Sequence, residues 1–229
     1  MMRAPEVLRL GLLVPSSNTV MEPDFYRRLP DWITLHTARM HLARTTVEGE
    51  AEMLDRHLPG ALKDLASLRP HVVVFGCTSA GALRGNDYEE GLLATIEAQT
   101  GAKPYSVNAC VRRVLKGLSA RRVGVVTPYV EELNRRIRQS LQQDGFEVVV
   151  IRGMDIADNM AIARVSPREV LEFAVGALAG RELDCAFVSC TNLRAFDIRE
   201  ELARRLKVPV VTSNQATLQC VLSDLTGSG

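Results

Sequence analysis

The feature that most constrains this chain is that it repeats itself. An apolar run, Val72-Val73-Val74-Phe75, leads into Gly76-Cys77-Thr78-Ser79-Ala80-Gly81. Toward the other end, Phe187-Val188-Ser189-Cys190-Thr191-Asn192 echoes it. Cys190 follows Cys77 at the same offset as Thr127-Pro128 follows Val14-Pro15. Two landmarks with one spacing predict a duplicated domain, with one cysteine per half facing a common site. A short apolar run that stops at small polar residues reads as a buried strand of a parallel sheet. Such sheets bind ligands at the C-terminal ends of their strands.

The pattern between the landmarks supports this. In the first half, strands are expected at Leu10 to Val14, Trp32 to Met40, Val72 to Phe75 and Pro104 to Val107. Helical spacing runs over Met21 to Leu29 and again from Leu54 to Leu68, where Pro59 predicts a kink or split. Asp87 and Glu90 have capping-box spacing ahead of a helix that Gly101 would close, and Asn108 would open the next one. The second half repeats the plan, with strands at Val123 to Val126, Phe146 to Ile151, Leu183 to Val188 and Val208 to Val211. Helices follow from Leu133 to Gly145, from Ser166-Pro167-Arg168-Glu169, over Phe196 to Leu206 and from Asn214, and Gly153 to Val165 reads as a loop. The expected fold class is α/β: two pseudo-symmetric Rossmann-like halves, each a parallel four-stranded sheet flanked by helices, with the active site in the cleft between them. The halves would be residues 1–119, carrying Cys77, and 120–229, carrying Cys190, with the C-terminal helix a candidate to cross over.

Composition excludes several function classes. Lys plus Arg number 28 against 27 acids, a net charge of +1, which gives no support for a nucleic-acid partner or a polybasic membrane surface. No apolar run reaches the roughly 18 residues of a membrane span. The first ten residues carry Arg3, Glu6 and Arg9 and no long apolar core, so no signal peptide is expected. Five cysteines without a Cys-x-x-Cys pair, in a chain too long to need disulfide staples, fit a reduced cytoplasmic protein. The four histidines show no metal-ligand spacing, and no dinucleotide or phosphate-loop fingerprint occurs, so no metal and no cofactor is expected.

The chemistry rests on the two cysteines. Each is placed where exposed backbone N–H groups stabilise an anion, which favours a thiolate and also binds a carboxylate. Two thiols on opposite faces of one planar carbon suit racemisation or isomerisation. Cys110, Cys185 and Cys220 lie within helical or strand patterns and read as core. Ser16, Ser17, Asn18, Thr78, Ser79, Tyr129, Thr191 and Asn192 supply neutral donors near the strand ends. Arg84 and Arg194 lie near the cysteine loops but read as surface residues. The pairs Arg112-Arg113, Arg121-Arg122, Arg135-Arg136 and Arg204-Arg205 read as solvated faces.

From about Leu10 to Leu222 the chain resembles the aspartate/glutamate racemase superfamily, and within it the maleate cis-trans isomerase and arylmalonate decarboxylase branch. The marks are Val14-Pro15-Ser16-Ser17-Asn18-Thr19, Gly76-Cys77-Thr78-Ser79, Thr127-Pro128-Tyr129, Asp158-Asn159 and Ser189-Cys190-Thr191-Asn192-Leu193-Arg194. The decarboxylases keep only the second cysteine, and this chain has both. The resemblance then implies a cofactor-independent isomerisation of maleate to fumarate. Cys77 would add to the olefin and Cys190 would carry the proton. Asn18, Tyr129 and Asn159 would bind carboxylates, helped by Thr78 and Ser79, with Pro15, Ser16, Thr191 and Asn192 lining the site. It also implies a homo-oligomer, a dimer or tetramer. The string Cys190-Thr191-Asn192-Leu193-Arg194 resembles, in addition, members linked to ectoine breakdown. These are thought to racemise an amino-acid-like substrate, an amino acid or N-acyl diamino acid. A decarboxylase-like enzyme and a non-catalytic carboxylate binder complete the alternatives.

Overall fold

The computed structural model describes residues 7–227. What was read from Met1 to Glu6 and from the last two residues of the tail lies outside them. The first half runs β1 (Leu8–Pro15), α1 (Met21–Tyr26), β2 (Ile33–Met40), α2 (Val47–Glu52), a π-helical turn (Met53–His57), α3 (Leu58–Ala66), β3 (Val72–Phe75), α4 (Thr78–Leu83), α5 (Asn86–Thr100), β4 (Lys103–Ser106) and α6 (Val107–Gly117). The second half runs β5 (Arg122–Thr127), α7 (Glu131–Gln143), β6 (Glu147–Gly153), α8 (Asn159–Arg164), α9 (Pro167–Leu178), β7 (Cys185–Val188), α10 (Arg199–Leu206), β8 (Val210–Thr212) and α11 (Ser213–Thr226).

Two four-stranded sheets result, with orders β2-β1-β3-β4 and β6-β5-β7-β8, and every pairing is parallel. The orders are the same under the repeat, so β3 and β7 are equivalent central strands. Every residue of both strands is buried, as a central parallel strand requires. Leu10 pairs with Val72 and Val123 with Cys185, which brings Pro15 and the turn after Thr127 beside the two cysteine loops. Gly76 has no room for a side chain: a Cβ there would sit 2.8 Å from Met21 Sδ and 2.9 Å from the Leu13 carbonyl oxygen. That close approach seats the Cys77 loop against β1.

The helices depart from expectation at several ends. Pro59 is accommodated because a π-turn precedes it and releases the backbone bond that proline cannot make. The Asp87–Glu90 capping box does not form. The helix begins two residues earlier, at Asn86 after Gly85, and the buried acid there is Glu89. Ser106 and Thr212, rather than Asn108 and Asn214, cap α6 and α11, with their hydroxyls accepting from Ala109 and Gln215 N–H groups. The two asparagines are freed for tertiary bonds. The segment 153–165 holds the short helix α8, capped by Asp158. Arg112 is not on a solvated face. It is buried, 2.7 Å from Glu89 and 2.8 Å from Asp144. Its neighbour Arg113 points outward to Asp224, since adjacent helical residues face different ways. Helix α11 packs along α6.

Candidate active site

Both cysteines sit at the ends of central strands, and both are nearly inaccessible. Cys77 is the extended N-cap of α4 (φ −137°). Burial pushes its thiol well above the ordinary value, and the nearby Glu50 carboxylate adds to this. The Ala80 N–H and the Ser79 hydroxyl act in the opposite direction, with Ser79 Oγ 3.9 Å from the sulfur. Cys190 lies in an irregular turn with φ +142°, a region that L-residues rarely occupy. Burial raises its thiol to about 11, while the Tyr129 hydroxyl and the N–H groups of Asn192 and Leu193 lower it. The Asn192 N–H lies 3.3 Å from the sulfur. Tyr129 is fully buried beside it, and burial holds its phenol well above the usual range.

The expected site residues divide into two groups. Pro15, Asn18, Cys77, Ser79, Tyr129, Asn159, Cys190, Thr191 and Asn192 line one cavity, together with Leu42, Thr45 and Glu50. Ser16 and Thr78 do not line it, because their hydroxyls are committed elsewhere. Ser16 Oγ accepts the Leu42 N–H at 3.1 Å. Thr78 Oγ1 lies 3.1 Å from Ser213 Oγ, which itself accepts the Cys190 N–H at 3.0 Å. Thr78 thus links the two cysteine loops. Several asparagines do the same from inside. Asn18 donates to Thr191 Oγ1 at 3.0 Å and caps α1 with its carbonyl oxygen. Thr191 Oγ1 in turn donates to the Gly76 carbonyl at 3.1 Å. Asn192 bridges the Thr19 N–H (2.9 Å) and the Asn159 carbonyl (2.7 Å). Asn214 donates to both Asp24 and the Thr191 carbonyl. These bonds join residues far apart in sequence, and they hold the strand ends of the two sheets face to face.

The cavity measures about 10 Å³, room for a single water. The segment 41–46 closes it from one side, through the Leu42 bond and a backbone bond from Thr45 N to Ala157 O of 2.9 Å. No four-carbon acid fits that space, so the walls have to part before one enters. Arg84 pairs with Asp55 away from the cavity and Arg194 is exposed. Neither lines it.

Glu50 escaped the sequence reading. It lies on α2, is 0% exposed and shares the cavity with both thiols. Ser79 Oγ hydrogen-bonds its Oε1, while Oε2 has no hydrogen-bond partner among the described residues. Burial raises its carboxyl to about 8, and only the Ser79 bond counters this. In sequence it is one of several acids among Glu48, Glu50 and Glu52, and nothing local marks it as buried.

The fold and the cavity define a class: duplicated α/β proteins with two thiols in a sealed cleft. Within that class the chain belongs to the arylmalonate decarboxylase family, whose model matches residues 10–226. It is 27% identical over 229 residues to the maleate isomerase of Nocardia farcinica, covering 96% of this chain and 90% of that one. It is 27% identical over 208 residues to the arylmalonate decarboxylase of Bordetella bronchiseptica, covering 90% and 86%. A solved structure of the Nocardia farcinica maleate cis-trans isomerase, a cysteine-to-serine mutant with a covalently bound succinylcysteine intermediate, superposes with a TM-score of 0.88 at 25% identity, covering 96% of this chain and 93% of that one. The chain is an enzyme of the isomerase class.

Proposed function

We propose that the chain is a cofactor-independent isomerase of a small carboxylate, in which Cys77 and Cys190 act from opposite sides of one carbon framework. The halves, residues 1–119 and 120–229, each contribute one thiol. The observation that carries this reading is the shared cavity: both sulfurs face it, and backbone N–H groups of α4 and of the Cys190 turn point at them.

The first reaction is the one named for the relatives, maleate to fumarate. The Cys77 thiolate adds to one olefinic carbon and a proton from Cys190 goes to the other. The single bond so formed rotates, Cys190 recovers a proton, and the carbon–sulfur bond breaks to expel Cys77. The succinylcysteine captured in the Nocardia protein supports such a thioether step. Asn18, Tyr129, Asn159 and Asn192 supply neutral donors to the carboxylates, and backbone N–H groups at the start of α4 stabilise charge on the intermediate. Thr191 and Ser79 line the site with their hydroxyl protons given to the Gly76 carbonyl and to Glu50. Ser16 and Thr78 serve as braces. A homo-oligomer in a cytoplasmic setting belongs to the same proposal. Among the described residues no helix is long and apolar enough to cross a membrane.

A second reaction, racemisation of an amino acid, uses the same two thiols as base and acid on one Cα. Glu50 favours it, because a buried carboxylate with a free oxygen is poorly matched to a dianion. Incubation with maleate in deuterated water, followed by NMR, tests the first reaction: fumarate must appear. Unchanged maleate together with α-proton exchange of an amino acid sinks it in favour of the second.

A further inference from the structure

We infer that Glu50 reads the substrate's nitrogen: its carboxylate receives a protonated amino group, so the site prefers a small zwitterionic amino acid to a bare dicarboxylate. This rests on the two-thiol reading and chooses between its two substrate classes.

Glu50 is held in place rather than left over. Thr46 caps α2 by accepting the Gly49 N–H. Gly49 cannot be another residue without a Cβ meeting the Arg44 carbonyl oxygen at 2.3 Å. The tight turn that results packs α2 against α4 and presents Glu50 to Ser79. One carboxylate oxygen is bonded there, and the other has no hydrogen-bond partner among the described residues, in the wall of the cavity. A buried carboxylate normally has a cationic partner, because desolvating it alone costs several kcal/mol. Here the other residues lining the cavity include no Lys, Arg or His. The titratable groups that face Glu50 are Cys77, Cys190 and Tyr129, all of them acids. A cation to pair with Glu50 in its ionised form therefore comes with the ligand.

The remaining walls fit the rest of a zwitterion. The Asn18, Asn159 and Asn192 amides and the Tyr129 hydroxyl are neutral donors, suited to one carboxylate. With the ammonium paired to Glu50, the Cα hydrogen lies between the thiols. The thiolate on one side takes the Cα proton, and the thiol on the other side gives its proton to the opposite face. Thiol and thiolate exchange roles, and the ammonium keeps its protons throughout. A dianion, by contrast, is tolerated only while Glu50 is protonated. The two substrate classes therefore have opposite pH dependence. Amino-acid KM should fall as Glu50 ionises through about pH 8, whereas maleate binding should weaken over the same range.

The test compares wild type with Glu50→Gln and Glu50→Leu. The probes are maleate, L-alanine, L-aspartate, L-glutamate and an N-acyl diamino acid with a free α-amino group, with α-proton exchange read by NMR in deuterated water. Wild type is expected to exchange at least one amino acid. Glu50→Gln should lower that kcat/KM by about 100-fold, mostly through KM, and should bind maleate more tightly. An unchanged amino-acid KM in Glu50→Gln overturns the inference. So does a wild type that isomerises maleate and exchanges no amino acid. Thermal melts establish that both variants are folded. Cys77→Ser and Cys190→Ser run alongside: full activity in either defeats the two-thiol reading while leaving the Glu50 measurement intact. Absence of every reaction counts against both.

Discussion

The two halves carry the same residue at the end of the same strand and treat it differently. Cys77 begins a helix, in relaxed backbone, with Glu50 raising its pKa. Cys190 sits in a strained turn with no helix behind it until Arg199, and three donors point at its sulfur. Burial opposes ionisation at both. At Cys190 the hydroxyl of Tyr129 and two N–H groups limit the rise; at Cys77 the Ala80 N–H and the Ser79 hydroxyl do so, and Glu50 adds to the rise at both. A duplicated scaffold has thus surrounded its two thiols differently, with three donors at Cys190 and a carboxylate among the groups nearest Cys77. Supplying a donor set at Cys190 required a turn tight enough to force a positive φ.

The comparison breaks first on the thiols themselves. Cys77→Ser and Cys190→Ser are each expected to lower turnover by about three orders of magnitude, because the two act as a unit. If one variant retains most activity, the halves are not partners in one reaction. The steady-state rate with the true substrate decides this.

The next largest effect concerns the charge that Glu50, while ionised, adds beside both thiols. Its folded carboxyl is raised from 4.5 to about 8. The stability it confers is therefore fully present below about pH 4.5 and is lost as pH rises through 8. Glu50→Gln does not titrate, so it should gain about 5 kcal/mol on the wild type between pH 4 and pH 9. Urea melts at the two pH values measure it. A gap that does not change with pH would mean that Glu50 is ionised and matched in the free protein.

How much of this was legible depends on what each residue needed. β3 and β7 are readable because a central parallel strand is apolar on both faces, and the cysteines follow at once. Thr78 and Ser16 illustrate the opposite. Their residue types suit a binding site, but whether a hydroxyl faces a ligand or a neighbour depends on Ser213 and Leu42, distant in sequence. Glu50 is the harder case. Burial is a tertiary property, and a glutamate on the exposed-looking stretch Val47–Glu52 gives no local sign of it. Arg112 was obscured by Arg113, since a run of two like charges hides that they face different ways.

A smaller effect tests the donor set. Tyr129→Phe removes the hydroxyl that favours the Cys190 thiolate. Alkylation of Cys190 at pH 9 should slow about tenfold, as loss of one donor to a buried anion implies. Cys77, read by mass spectrometry in the same sample, should change much less. Equal slowing at both sites would show that the tyrosine governs access to the cavity rather than one sulfur.

The smallest effect concerns the backbone. Replacing either cysteine by glycine loses a buried thiol and adds chain freedom, each worth about 1 kcal/mol. At Cys190 there is a gain to set against this, because glycine adopts φ +142° without strain. Relief of such a conformation is worth about 1–3 kcal/mol. Cys77 at φ −137° has nothing to relieve. Cys190→Gly should therefore be more stable than Cys77→Gly by about 1–3 kcal/mol, although the residue removed and its burial are nearly the same. The difference between the two variants in urea melts is the informative quantity. If it vanishes, the turn at Cys190 is relaxed in solution, and the asymmetry between the halves rests on hydrogen bonds alone.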